Sequence, residues 1–323
     1  MERILLVCRA SESVGIGHLS RVERILKALS VYAPIKLRLA VIGPSIQRDN
    51  LLNFDHKFYA DNLSFKEVIT NEVNFFQPNT IVFDVYSSNI DFTKLFQTLK
   101  QNKIKLVAVD GLTEYHQLLD LIWTPSFMSP KLSGNDPHKL SFGWDHFLLD
   151  DAVKTSKWRN GKEILVLTGG SDPTGLNKDL PKMLDEHISN CLINWVRGPF
   201  SNKPILNNVI NNEFNVIKSP QEIQSLISSA NYVLTVYGVS FFESCHYGKP
   251  TSVFSPYKDR DDKELGLVNK ANIAMTAVSA KEAVINLSYL INNFHESQKI
   301  SVNGSNKVKN GTHLLANKIY NLH

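Results

Sequence analysis

Ile4-Leu5-Leu6-Val7-Cys8, and a few residues further on Val14-Gly15-Ile16-Gly17-His18-Leu19-Ser20-Arg21, decide how the chain folds. The first run is apolar and rich in β-formers, so it reads as a buried strand. Beyond it Leu19, Val22, Leu26 and Leu29 recur at helical spacing. The opening unit is therefore strand, glycine loop, helix. Glycines at that hand-over allow a tight turn and close approach of a ligand to the backbone. The helix start offers free N–H groups and a partial positive charge, suited to an anion or a developing negative charge. His18 follows the second glycine, which puts its imidazole at the carboxyl end of the sheet, where open α/β sheets bind ligands. The plainer alternative is a glycine turn with a helix-capping histidine. The loop has no Gly-Lys-Ser/Thr ending, so it is not a nucleotide P-loop, and it lacks the third glycine of a dinucleotide fingerprint.

Outward from this unit the same rhythm continues. Strands are expected at Leu37 to Ile42, Thr80 to Phe83, Lys105 to Val109 and Leu121 to Trp123, with helices at Phe65 to Phe76 and Asp91 to Lys100. Alternating strands and helices imply parallel strands joined by right-handed crossovers. The rhythm breaks between Ser126 and Asp145, which holds Pro130, Gly134, Pro137 and Gly143. A polar link over Lys154, Ser156, Lys157, Arg159 and Asn160 marks a domain boundary. This divides the chain into an N-terminal domain of residues 1–155 and a C-terminal domain of 156–323. A second series follows: strands at Glu163 to Leu167, Leu192 to Val196, Val216 to Lys218, Tyr232 to Val236 and Thr251 to Phe254. Helices are expected at Leu176 to His187, Pro220 to Ser229, Val239 to Tyr247 and Gly311 to Leu322. Two similar α/β halves sit in one chain.

Composition narrows the function. The 323 residues carry Lys+Arg 35 against Asp+Glu 31, a net charge of +4, which is far from the positive face of a dedicated nucleic-acid binder. With 43% hydrophobic and 20% charged residues the chain is not disordered. Its 3 cysteines, Cys8, Cys191 and Cys245, have no spacing for a zinc clip or a disulfide framework, and a reducing, cytoplasmic location is expected. The N-terminal apolar run is too short for a signal peptide, and no stretch reaches the ~20 apolar residues of a membrane span. Weak peripheral attachment to a membrane stays open, and no protein partner is indicated.

Four further segments can carry chemistry. Thr168-Gly169-Gly170-Ser171-Asp172-Pro173-Thr174-Gly175 follows the first strand of the second half, and its glycines, hydroxyls and ensuing helix make a diphosphate cradle. The alternative is an ordinary turn with Ser171 or Asp172 as helix N-cap. In Val236-Tyr237-Gly238-Val239-Ser240-Phe241-Phe242-Glu243-Ser244, Gly238 turns the chain into a helix on which Glu243 can accept hydrogen bonds from a ribose diol. A lone helical glutamate is more commonly a solvated surface residue. Asp84-Val85-Tyr86 and Asp110-Gly111 each follow an apolar strand of the first half, where capping or packing are the alternatives. His116, His138, His146 and His246 have no partner at metal-ligand spacing, so no metal or other cofactor is expected. Cys245 reads as packed rather than nucleophilic.

The order of these motifs resembles the GT-B superfamily. Within it, the chain resembles the UDP-sugar hydrolase family of pseudaminic acid synthesis and its spore-coat polysaccharide homologues. The residues that carry the likeness are Gly15-Ile16-Gly17-His18 with Arg21, and Asp84 and Tyr86. They continue through Gly143 with Leu148-Leu149, Gly169-Gly170-Ser171-Asp172, the set Gly238, Ser240, Glu243 and Pro250, and Asn310-Gly311 before the final helix. Val85 stands where the family has histidine, Ser11 where it has aspartate, and Asp259-Arg260-Asp261-Asp262 where it has an Asn-Gln pair. The resemblance implies two Rossmann-like domains with mostly parallel sheets facing across a cleft. The N-terminal one serves sugar and acceptor, the C-terminal one the nucleotide. It implies an enzyme that cleaves the anomeric C–O bond of a UDP-sugar. His18 would be the base and Tyr86 a second catalytic residue. Gly15, Gly17, Arg21, Asp84, Gly169, Gly170, Ser171, Gly238, Val239, Ser240 and Glu243 would bind substrate. With water as acceptor it is a hydrolase of surface-glycan biosynthesis, which whole-chain resemblance favours. With a sugar or lipid hydroxyl it is an inverting glycosyltransferase of surface polysaccharide. A nucleotide-sugar binding protein without turnover is the third reading.

Overall fold

The structure, a computed structural model, describes residues 1–11, 14–86, 90–130, 139–150, 157–172, 174–220 and 223–322, with backbone alone at 258 and 259. Gly134, Pro137 and His138 of the irregular stretch, and Lys154 and Ser156 of the expected link, lie outside the described residues, as does Pro173. The chain divides into two compact units, Met1–Leu149 with Asn310–His323, and Asp150–Lys309.

In the first unit the chain runs β1 (Glu2–Arg9), α1 (Gly17–Leu29), β2 (Ile35–Ile42), β3 (Asp55–Tyr59), α2 (Phe65–Phe76), β4 (Thr80–Asp84), α3 (Thr93–Gln101), β5 (Lys105–Val109), β6 (Leu121–Trp123) and β7 (Leu140–Ser141). All neighbours pair in parallel, in the order β3-β2-β1-β4-β5-β6-β7. The alternation along β1 shows why the sheet is covered on both faces. Ile4, Leu6 and Cys8 enter one apolar layer with Leu19, Val22 and Leu26 of α1. Leu5 and Val7 enter the other with Val68 and Ile69 of α2 and Phe96 and Leu99 of α3. A capping box of Ser64 and Glu67 sets where α2 begins.

The second unit repeats the plan with β8 (Glu163–Leu167), α4 (Leu176–His187), β9 (Leu192–Arg197), β10 (Glu213–Lys218), α5 (Ile223–Ser229), β11 (Tyr232–Val236), α6 (Val239–His246), β12 (Thr251–Phe254), α7 (Asp262–Ala271), β13 (Met275–Ala277), α8 (Ala280–Asn292) and α9 (Phe294–Lys307). Its strands are parallel in the order β10-β9-β8-β11-β12-β13. Among the described residues no helix is long and apolar enough to cross a membrane.

Two expectations need correction. The final helix, α10 (Thr312–Tyr320), belongs to the first unit rather than the second. Leu315, Ala316 and Ile319 of α10 complete the apolar layer over α1. The turn before it is held by Gly311 N–H donating to Phe147 O at 2.7 Å and by the Thr312 hydroxyl on Leu149 O at 3.1 Å. The expectation also leaves 255–310 without elements, where the structure has α7, β13, α8 and α9.

Ile319 is fully buried in that layer. Ile319→Ala is expected to destabilise the protein by roughly 2–5 kcal/mol, read as a lower urea midpoint. A loss below about 0.5 kcal/mol would show that α10 does not close the core.

Candidate functional site

In each sheet the strand order reverses once, and in each the reversal is where the candidate loops sit. In the first unit β1 and β4 are the neighbours on either side of the reversal. Crossovers leaving them go to opposite sides, so the carboxyl ends of these strands frame a crevice. His18 comes from the start of α1 after β1, Asp84 is the last residue of β4, and Asp110 follows β5. The three are brought together by Arg21, one turn along α1 from His18. Its Nε donates to Asp84 Oδ2 at 2.9 Å and its Nη2 to Asp84 Oδ1 at 2.6 Å, a bidentate grip. Its Nη1 donates to Asp110 Oδ2.

His18 Nδ1 lies 2.5 Å from Asp84 Oδ1. Arg21 Nη2 is 2.9 Å from the same Nδ1, but both nitrogens converge on one carboxylate oxygen. That spacing is of two donors sharing an acceptor, and it assigns the imidazole proton to Nδ1. In the neutral ring Nε2 is then the nitrogen left to accept a proton, and among the described residues nothing donates to it. The capping reading of His18 is not met, since among the described residues no side-chain cap bond is made at the start of α1 and the imidazole is on Asp84. The Tyr86 ring stands edge-on to the imidazole, centroids 4.9 Å apart, and its hydroxyl donates to Asp110 Oδ2 at 3.2 Å.

Charge is concentrated and dry here. Asp84 is fully buried, and His18 and Arg21 are 5% and 7% exposed. Burial by itself would push the Asp84 carboxyl up, but Arg21 and then His18 outweigh it and hold it below its ordinary value. Burial likewise works against the Arg21 charge, and Asp110 and Asp84 more than restore it. The Tyr86 phenol is pushed up, first by the Asp110 carboxylate and then by burial. Burial, followed by Asp84 and Glu23, keeps the neighbouring Cys8 a thiol.

In the second unit the reversal falls between β8 and β11. After β8, Gly169 takes a left-handed φ of 88°, which favours glycine. A Cβ on Gly198 would come within 2.4 Å of Gly170 O and 2.7 Å of Gly169 O, and Phe200 N–H donates to Gly170 O at 3.0 Å. Both loop carbonyls thus face Gly198. In planar trans peptides the next amides, those of Gly170 and Ser171, point the other way. Among the described residues those amides have no acceptor. The Thr168 hydroxyl, 2% exposed, is also without a hydrogen-bond partner among them. The start of α4 is different: Asp172 accepts from the Leu176 and Asn177 amides at 2.9 Å each. The N-cap position itself is Gly175, but the Asp172 carboxylate already occupies that helix end, as the capping alternative expected of its side chain.

After β11, Gly238 is the N-cap of α6; among the described residues no side-chain cap bond is made there, and a Cβ on it would meet none of them within 4 Å. The amides of Val239 and Ser240 are among the unsatisfied donors of a helix start. Glu243 is not a surface residue: it is 1% exposed, with Gln224 Nε2 donating to its Oε1 at 3.1 Å. Two glycine loops on adjacent strands therefore present backbone donors, with a buried carboxylate below.

The sequence reading included His18, Arg21, Asp84 and Tyr86, which the fold brings together. Among the described residues nothing lies within 4 Å of a Cβ on Gly15 or Gly17. Asp110, which the sequence places after an apolar strand but not among the site residues, ties Arg21 to Tyr86. Thr168 opens the segment read as a diphosphate cradle, whereas Gly198 lies outside every motif and no local pattern marks it. Among the described residues no group of three or more His, Cys, Asp or Glu is placed to hold a metal ion. A 470 Å³ hollow lined by Lys162, Cys191, Asn211 and Glu213 lies at the amino ends of β8 to β10, away from both glycine loops.

Because the folded Asp84 carboxyl ionises below its ordinary value, its stabilising effect is complete above about pH 4 and is lost as pH falls through the folded value. Asp84→Asn is expected to cost roughly 3–5 kcal/mol at pH 7, as for a broken buried pair. Urea melts at descending pH should show the gap to the native protein closing below about pH 4. A gap that stayed constant into strong acid would mean that Asp84 is not ionised in the fold.

No protein-family model matches the sequence, and no curated protein matches it. Solved structures do match over the whole length. A UDP-glucosyltransferase from Polygonum tinctorium, in complex with 3,4-dichloroaniline, superposes with a TM-score of 0.65 at 12% identity, over 99% of this chain and 98% of that one. Phytolacca americana UGT2, complexed with UDP-2fluoro-glucose and pterostilbene, gives 0.64 at 14% identity, over 99% of both chains. UDP-GlcNAc 2-epimerase from Neisseria meningitidis, bound to UDP-GlcNAc, gives 0.63 at 14% identity, over 98% of this chain and 99% of that one. With its two parallel sheets of 7 and 6 strands, the chain has the GT-B fold.

Proposed function

We propose that the chain is an inverting glycosyltransferase that moves a sugar from UDP to a hydroxyl acceptor. The observation that carries this is the His18–Asp84 pair with Nε2 bare, at the reversal of the first sheet. Histidine is the side chain best suited to take a proton near neutral pH. In the proposed step the acceptor O–H gives its proton to His18 Nε2 as its oxygen bonds to the anomeric carbon. The bond from that carbon to the diphosphate oxygen breaks, and UDP leaves with the electron pair. Asp84 holds the imidazole and stabilises the imidazolium. Tyr86, hydrogen-bonded to Asp110, borders the acceptor side with Gly15 and Gly17.

The second unit would hold the nucleotide. The amides of Gly170 and Ser171 and those of Val239 and Ser240 after Gly238 suit a diphosphate and the charge that grows on it as it leaves. Glu243 would meet the ribose, exchanging its Gln224 contact for the diol. Hydrolysis, the preference drawn from resemblance alone, gives way to transfer. The similar structures named above are a UDP-glucosyltransferase, a UGT2 complexed with UDP-2fluoro-glucose and pterostilbene, and a UDP-GlcNAc 2-epimerase. None of those names describes a hydrolase.

The test is to incubate the protein with a panel of UDP-sugars, with and without sugar and phenolic acceptors, and to follow products by NMR. UDP released only when an acceptor is present supports transfer. Free sugar without an acceptor would make it a hydrolase, and an epimerised UDP-sugar an epimerase. Tight UDP binding with no turnover would make it a binding protein. His18→Ala should lower turnover by ~100-fold with UDP affinity unchanged, as for a lost general base. Equal activity in that variant removes His18 from the chemistry. Glu243→Ala should weaken UDP binding in calorimetry, and native affinity would reject the ribose contact.

A further inference from the structure

The His18–Asp84 pair raises an electrostatic problem. A carboxylate supports proton uptake by an imidazole through its negative charge, yet the Asp84 charge is matched by the bidentate Arg21 guanidinium. Arg21 Nη2 also lies 2.9 Å from His18 Nδ1, so a cation stands beside the ring that must become one. Asp84 and Arg21 together carry no net charge toward His18.

Asp110 changes that balance. Its Oδ2 takes the remaining face of Arg21 through Nη1, in a contact whose side chains are 9% and 25% exposed. Two carboxylates then share one guanidinium, and the cluster carries one surplus negative charge until His18 is protonated, when it becomes neutral. The other groups packed around the cluster do not supply that charge. Cys8 on β1 is held as a thiol. Glu23 on α1 is matched by Arg48, whose Nε and Nη2 reach it at 2.8 and 2.5 Å. Tyr86, from the loop after β4, donates a hydrogen bond to Asp110 and stays neutral.

The position of Asp110 is built into the fold. Its backbone is left-handed, with φ 56°, and its N–H donates to Trp123 O at 2.9 Å. A Cβ on the following Gly111 would lie 2.6 Å from Val85 O, so the turn is pressed against the strand end that carries Asp84.

We propose that Asp110 is a positioning residue for the base: by neutralising Arg21 it leaves the charge of Asp84 free to support proton uptake at His18. The proposal rests on the reading of His18 as the base. Asp110→Asn tests it, because asparagine tolerates the left-handed backbone and keeps the shape while removing the charge. The readout is the imidazole NMR signal of His18, one of 10 histidines, identified by its absence from His18→Ala. In Asp110→Asn the pH at which this signal titrates should fall by about one unit. Tyr86→Phe, which changes no charge, should leave it in place. In turnover assays the acid limb of kcat/KM should move down with the signal, and the plateau should fall. A native titration in Asp110→Asn, with native melting, overturns the proposal. The NMR reading needs no substrate, so it decides on Asp110 even if no transfer is found. A shifted signal with an unshifted kcat/KM limb would instead remove His18 as the base and leave the charge coupling standing.

Discussion

A fully buried carboxylate at the end of a central strand sets the terms for the first unit. Asp84 cannot remain ionised among apolar neighbours unless opposite charge and hydrogen bonds reach it. The fold meets this chiefly with one side chain, helped by His18: Arg21, fixed on α1, closes its Nε–Nη2 edge on the strand end. That contact couples the strand–helix unit at the start of the chain to β4, and through Asp110 to the turn after β5. The same contact sets the direction of the His18 ring, since Oδ1 of Asp84 is the acceptor for both. Packing, charge and chemistry in this unit thus depend on one guanidinium.

The second unit uses the equivalent place in its sheet with different means. Its loops offer backbone amides instead of an ion cluster, and Gly198 turns the carbonyls of Gly169 and Gly170 inward so that the amides face out. One of the two helix starts is unavailable, because Asp172 fills it. The other, after Gly238, is open. A general base suits one half of a transfer reaction, and a set of fixed dipoles suits the other, where negative charge accumulates.

Much of this was legible in the sequence because it rests on short-range patterns. The β1 run, the spacing from Leu19 to Leu29 and the glycine hand-overs are local signals, and the strands at Lys105–Val109, Glu163–Leu167 and Tyr232–Val236 have the expected bounds. What was missed depends on tertiary context. β3 is an edge strand of Asp-His-Lys-Phe-Tyr with no apolar run, and β13 has three residues. α8 carries Ala283, Val284, Leu287 and Leu290 at helical spacing, so its signal is a local one. α10 reads as a helix, but only the structure assigns its apolar face to the first unit. Asp110 shows the same limit within the site. Its place after a strand is a sequence feature, whereas its grip on Arg21, 89 residues away, is not.

The stereochemistry of the product tests the account most directly. A base that deprotonates the acceptor for direct attack allows one displacement at the anomeric carbon, which inverts it. Given an α-linked UDP-sugar, the coupling of the anomeric proton in the ¹H NMR spectrum of the first-formed product should be that of a β-glycoside. An α-glycoside formed from the outset would contradict a single displacement driven by His18.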